Sequence, residues 1–102
     1  MIIYEVNITA NKAVAESYEQ WMGEHIEQMV ALEGFTGADW YIRDPEADED
    51  PEKYLFWTIQ YRLKDRASLE RYLANEAAAM RQDGIDRFGG QFTASRRILV
   101  SR

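Results

Sequence analysis

Cysteine is absent from this 102-residue chain, which removes disulfides, thiolate nucleophiles and thiolate metal ligands together. Histidine occurs once, as His25, so a metal site built on imidazoles has no second ligand. Basic residues are the minority charge: 12 Lys and Arg against 18 Asp and Glu leave a net charge of −6. That balance repels a phosphate backbone and an anionic lipid surface alike, and argues against nucleic acid and membrane partners. Nothing approaches the ~18 consecutive apolar residues of a membrane span, and no basic segment followed by an apolar one opens the chain. The expectation is a cytoplasmic protein. Only two prolines occur, both in one loop.

What is present is ordinary for a globular protein, with 46% hydrophobic and 13% aromatic residues. The length allows one domain, residues 1–102, around one core. Without disulfides that core must hold by packing alone.

From Ile2 to Ile8 the side chains alternate, with Ile2, Tyr4, Val6 and Ile8 on one face and Ile3, Glu5 and Asn7 on the other. Period two predicts a strand with one buried face. Next come Tyr18, Trp21, Met22, His25, Ile26, Met29 and Val30, which step by three and four and so share one face of a helix. Gly34 falls where a left-handed helix cap is expected. A second strand is predicted from Phe35 to Arg43 and a third from Lys53 to Leu63. The intervening loop holds both prolines and six acids between Asp44 and Glu52, and reads as a solvated hairpin connection. In the third strand Leu55, Trp57, Ile59 and Tyr61 form one face, and Tyr54, Phe56, Thr58 and Gln60 the other. A strand this apolar belongs in mid-sheet. Asp65 caps a second helix with a stripe at Leu69, Tyr72, Leu73, Ala77 and Met80. A short turn over 83–88 is stopped by Gly89-Gly90, and Phe92 to Val100 forms the last strand.

The order βαββαβ, with right-handed crossovers, gives an α+β fold of ferredoxin-like type: a four-stranded antiparallel sheet with two helices on one face. The other face then carries Ile3, Glu5, Asn7, Tyr54, Phe56, Thr58 and Gln60. From the second strand it takes either Phe35, Asp39 and Tyr41, or the alternate set around Trp40 and Ile42. Large rings among polar groups make an unfavourable water-facing patch. Set against a merely damp sheet on which each ring covers its neighbours, a second copy of the chain, sheet to sheet, would cover the patch, leaving either a lumen for a small molecule or a wet interface holding nothing.

Several segments resemble a small bacterial family catalogued as a domain of unknown function within the dimeric α/β-barrel superfamily. They are Met1-Ile2-Ile3-Tyr4-Glu5-Val6, Trp21-Met22 with His25-Ile26, Glu70-Arg71-Tyr72, and the closing run from Arg87-Phe88-Gly89-Gly90 through Ala94-Ser95-Arg96. The resemblance implies a homodimer, a dimeric α/β barrel, and no particular activity. It also implies distant relatives that include cofactor-free monooxygenases, isomerases, haem-degrading enzymes and ligand sensors. The chain departs from the pattern at Glu76, where a histidine is expected.

Among residues able to do chemistry, His25 is the candidate general base, set against an inert histidine at the stripe's edge. Arg96 and Arg97 are neighbours on the last strand, so they point to opposite faces. Arg96, which matches the family, is expected to face the dimer and hold an anionic ligand, set against an ion pair that fixes register. Asn7, Tyr54, Phe56 and Gln60 complete the expected ligand-binding set. The acidic loop lacks the glycine and glutamate positions of a calcium loop, Gly89-Gly90 lacks a phosphate-loop context, and the sheet aromatics lack the basic signature of an RNA reader. No cofactor and no metal are expected. Three readings stand: a dimer binding a small organic molecule between sheet and helices or in the lumen, a cofactor-independent monooxygenase or isomerase using His25, and a purely structural dimeric interaction module.

Overall fold

A computed structural model describes residues 1–102. Strand β1 (Ile2–Asn11) leads through a 3-10 turn (Lys12–Val14) into helix α1 (Ala15–Val30). Strands β2 (Phe35–Ile42) and β3 (Tyr54–Leu63) form a hairpin, followed by helices α2 (Arg66–Asn75) and α3 (Ala77–Phe88). A second 3-10 turn (Gly89–Gln91) enters β4 (Phe92–Val100). The sheet runs β2-β3-β1-β4, and every neighbouring pair is antiparallel. This is the ferredoxin-like arrangement, with the helices on one face. No helix is long and apolar enough to cross a membrane.

The expected alternation in β1 and β3 is obeyed. Ile2, Tyr4, Val6, Ile8, Trp57, Ile59, Tyr61 and Leu63 join the core beneath Tyr18, Met22, Met29, Leu69 and Tyr72. Asp65 caps α2, its carboxylate accepting from the Ser68 backbone N–H at 2.9 Å. The face of β2 could not follow from strict alternation, because the register slips between Phe35 and Gly37. Phe35 therefore packs on the helix side against Tyr61 and Tyr72. Beyond the bulge Trp40 also takes the helix side, opposite Ile59, while Asp39 and Tyr41 stand on the open face opposite Gln60 and Thr58. Of the two alternatives for the open face, the first holds for Asp39 and Tyr41 and fails at Phe35, and the set around Trp40 and Ile42 lies on the helix side instead.

Three local expectations are corrected. Residues 83–88 are not a turn but the end of α3. The second helix breaks at Glu76, whose φ of −129° and ψ of −27° interrupt the spiral between α2 and α3. Leu73, expected in the stripe, is exposed, while Leu69 and Tyr72 of the same helix are buried. Gly34 does adopt a positive φ of 88°, but it shapes the turn into β2 rather than capping α1, which ends at Val30. A Cβ on Gly34 would lie 2.3 Å from the Ser68 side chain, so the turn also needs glycine for the close approach of α2.

Candidate functional site

The sheet has two faces, and the expected site residues divide between them. On the open face, Glu5 lies in β1 beside β3 and β4, and its exposure is only 2%. A carboxylate this buried must be hydrogen-bonded. Gln60 donates to it from β3 at 2.9 Å, Asn7 from the same strand at 3.0 Å, and the Arg97 guanidinium from β4 forms an ion pair. Thr58 donates to Asn7 at 2.6 Å. Burial pushes the Glu5 carboxyl up, but the donors from Arg97, Gln60 and Asn7 together outweigh it and hold the group below its ordinary value.

Phe56 is also buried on this face, under the Arg43 guanidinium 4.9 Å from its ring centre. Arg43 is held in turn by Glu49 of the acidic loop at 2.8 Å. The loop is solvated as expected, and Glu49 alone of it is partly buried. Loop and sheet together wall a polar hollow of about 580 Å3 lined by Asn7, Thr9, Arg43, Glu46, Glu49 and Arg97 among others. Tyr54 lies at the far end of β3, opposite Asn11, with the Lys53 ammonium over its ring.

On the helix side is a cleft between sheet and helices, most of whose residues the sequence presented as core. Tyr4, Tyr61, Phe92 and Arg96 form its sheet wall, Tyr18, Trp21, Met22 and His25 come from α1, and Tyr72, Met80, Arg81 and Gly84 from α2 and α3. The enclosed space is about 40 Å3, enough for one or two waters or a hydroxyl-sized group. Aromatic stacking builds the walls: Tyr18 lies parallel to Trp57 at 5.6 Å and stacks on Trp21 at 5.7 Å. Trp21 in turn stacks on His25, and its indole N–H donates to Asp83 of α3 at 3.0 Å.

Two of the residues that line this cleft carry a buried polar atom without a protein partner, the Tyr18 hydroxyl and His25 Nδ1. Burial pushes the Tyr18 phenol up, out of reach of ionisation near neutrality. Burial pushes the His25 imidazole down; Asp83 opposes that shift and Arg96 reinforces it. The imidazole is consequently held in its neutral form, able to accept a proton.

Arg96 is corrected in its placement. It pairs with Val6 on the helix side, whereas Arg97, opposite Glu5, is the arginine of the open face. The expected set thus separates: His25 and Arg96 share the cleft, while Asn7, Tyr54, Phe56 and Gln60 lie behind the sheet. Sequence reasoning did not single out Tyr18 and Arg81. A tyrosine inside an apolar stripe reads as packing, and only the three-dimensional path of α3 brings Arg81 to Tyr4, whose hydroxyl accepts its guanidinium at 3.1 Å. Glu76 is not among the cleft residues.

A family profile for a domain of unknown function, DUF4286, matches residues 1–101. The chain belongs to the DUF4286 family. No functionally curated protein matches it. Among solved structures this DUF4286 chain is similar to a candidate antibiotic biosynthesis monooxygenase from Deinococcus radiodurans, at 13% identity and TM-score 0.72, covering 100% of this chain and 93% of that one. It is similar to SnoaB, a cofactor-independent oxygenase from Streptomyces nogalater, at 15% identity and TM-score 0.65, covering 99% and 93%. A de novo designed protein, Foldit4, is matched at 10% identity and TM-score 0.63, covering 99% and 98%. A designed chain sharing the architecture shows that the likeness fixes the DUF4286 fold and leaves its chemistry to the site.

Proposed function

We propose that this protein is a single ferredoxin-like domain that binds a small organic molecule in the cleft between sheet and helices and pairs with a second copy through its open sheet face. The observation that carries the binding reading is the placement of the Tyr18 hydroxyl and His25 Nδ1. Each unpartnered buried polar group costs about 1–3 kcal/mol, and a core that needed only to be stable would have apolar residues there. Two such groups in one aromatic-walled cleft are what a ligand with a flat apolar body and a polar tip would satisfy. The likeness to oxygenases that handle organic molecules supports the same reading without carrying it.

A second reading is favoured by one observation, the half-buried His25 imidazole, held below its ordinary pKa, at a cleft with no carboxylate in its lining. A neutral imidazole can take a proton from an acidic C–H or O–H of a bound substrate, the first step of a cofactor-independent oxygenation or an isomerisation. The homodimer reading rests on the aromatic and polar mixture of the open face.

Trp21 supplies the test. Flat phenols and quinones titrated into the protein should change its fluorescence saturably, and Tyr18→Phe should weaken the best binder several-fold. A panel producing no saturable change would sink the binding reading. His25→Asn then separates the two readings: a binder keeps its affinity within a few-fold, whereas an enzyme loses oxygen-dependent or isomerising turnover.

A further inference from the structure

Five arginines of this chain have a carboxylate partner: Arg43, Arg62, Arg71, Arg87 and Arg97. Of the nine arginines, Arg66, Arg81, Arg96 and Arg102 have none, and among these four Arg81 and Arg96 line the same hollows. Both line the cleft described above, and both line a shallower groove of about 240 Å3 that adjoins it, with Ile85, Phe92 and Ala94 as its apolar floor. Neither hollow has an aspartate or glutamate in its lining. In a chain of net charge −6, that is a local reversal of sign. The polar hollow on the other face of the sheet shows the contrast, since Arg43 and Arg97 there are answered by Glu49 and Glu5. The Arg96 charge also reaches inward, acting on Tyr18, His25, Tyr61 and Tyr72.

We infer that Arg81 and Arg96 form an anion clamp at the mouth of the cleft, and that the ligand is a small organic acid, an anionic head on a flat apolar body. The inference deepens the binding reading above and rests on it. The geometry sets the ligand's direction. The inner cavity of about 40 Å3 is too small for a ring, so the body lies in the outer groove against Phe92 and Ile85. The anion sits between the two guanidinium groups at the solvent edge, and only a hydroxyl or carbonyl tip at the opposite end of the body points inward towards Tyr18 and His25. A guanidinium offers a carboxylate two parallel donors, which fixes orientation as well as strength. With both arginines at the solvent edge, ionic strength will weaken the attraction.

The matched probes are 4-hydroxybenzoate and its neutral amide, 4-hydroxybenzamide, titrated by calorimetry and NMR at low salt. The acid should bind about tenfold tighter than the amide, a difference of about 1.4 kcal/mol. Arg96→Gln and Arg81→Gln should each reduce acid affinity several-fold and leave the amide within twofold. Both side chains are exposed, though Arg81→Gln also removes the hydrogen bond to Tyr4, so circular dichroism and a urea midpoint check that each variant keeps the fold. If acid and amide bind equally, or the variants weaken both alike, the clamp is wrong while the cleft remains a binding site. If neither probe binds, the clamp is overturned, and the binding reading is then judged by the phenol and quinone titration above.

Discussion

The rings of Trp21 and His25 lie face to face in α1, their centroids 4.6 Å apart and their planes 17° from parallel. The stack fixes the imidazole one helical turn beyond a tryptophan that is itself anchored across to Asp83 of α3. It puts His25 at the cleft, half-buried, with Nδ1 shielded from water and unsatisfied.

A pH dependence of stability follows. Burial, opposed by Asp83 on α3 and reinforced by Arg96 on β4, holds folded His25 below its ordinary value of 6.5. As pH falls through 6.5 the unfolded chain takes up that proton first, so stability is full above this point and declines below it. Urea midpoints measured from pH 8 to 5 should fall for the native protein and stay nearly level for His25→Asn over the same interval. A native profile as flat as the variant's would contradict the buried neutral imidazole.

The Glu5 cluster makes a second, lower limb. Its carboxyl is held below the ordinary 4.5, so its contribution is present above that value and lost as pH falls further. Removing Arg97 strands a buried carboxylate, while removing Glu5 releases an arginine that is already 66% exposed at its side chain. Arg97→Leu should therefore destabilise more than Glu5→Leu, and should also move the acid limb to higher pH. Equal urea midpoints for the two variants would show that Glu5 has solvent access in solution.

Helix α3 carries a glycine at position 84 where helix propensity favours alanine by about 1 kcal/mol. A Cβ there would lie 2.9 Å from Trp21 Cη2 and 3.6 Å from Phe92. Gly84→Ala should thus destabilise, by about 1–3 kcal/mol from overpacking, and shift Trp21 fluorescence. Gly23, inside α1, has nothing within 4 Å of its added Cβ. Gly23→Ala should instead stabilise by about 0.5–1 kcal/mol. Thermal unfolding of the two variants gives opposite signs if helix packing around Trp21 is as described.

The open face is tested by assembly. Thr58 stands at its centre on β3, opposite Asn7 of β1 and Tyr41 of β2. Sedimentation should report a dimer for the native chain and a shift towards monomer for Thr58→Trp. A native monomer, or a variant dimer as tight as the native one, would place any interface elsewhere.

Much of the fold was written in periodicity. The alternation of β1 and β3 and the three-four spacing of α1 survive because each is read locally, over residues that share one element. Parity was lost wherever backbone geometry intervened. The bulge between Phe35 and Gly37 reversed the parity of β2 at its start, and β4 begins only after the 3-10 turn at Gly89–Gln91, which left open which of Arg96 and Arg97 turned to the helices. The break at Glu76 has no glycine or proline to announce it. The site was less legible than the fold, because its residues are gathered from β1, α1, β3, α2, α3 and β4. An unsatisfied Nδ1 depends on how a ring is turned, which no spacing encodes. His25 stood out as the only histidine, and the tyrosine and arginine that complete its surroundings did not.

The most direct test of ligand binding in the cleft uses side-chain NMR reporters on both faces of the sheet. The indole N–H of Trp21 and the ring protons of His25 report the helix side, and the side-chain amides of Asn7 and Gln60 report the other. During a titration with 4-hydroxybenzoate, the Trp21 and His25 signals should move together and saturably while the two amides stay in place. Saturable movement of the Asn7 and Gln60 amides, with Trp21 and His25 unmoved, would put the ligand on the opposite side of the sheet and contradict the account.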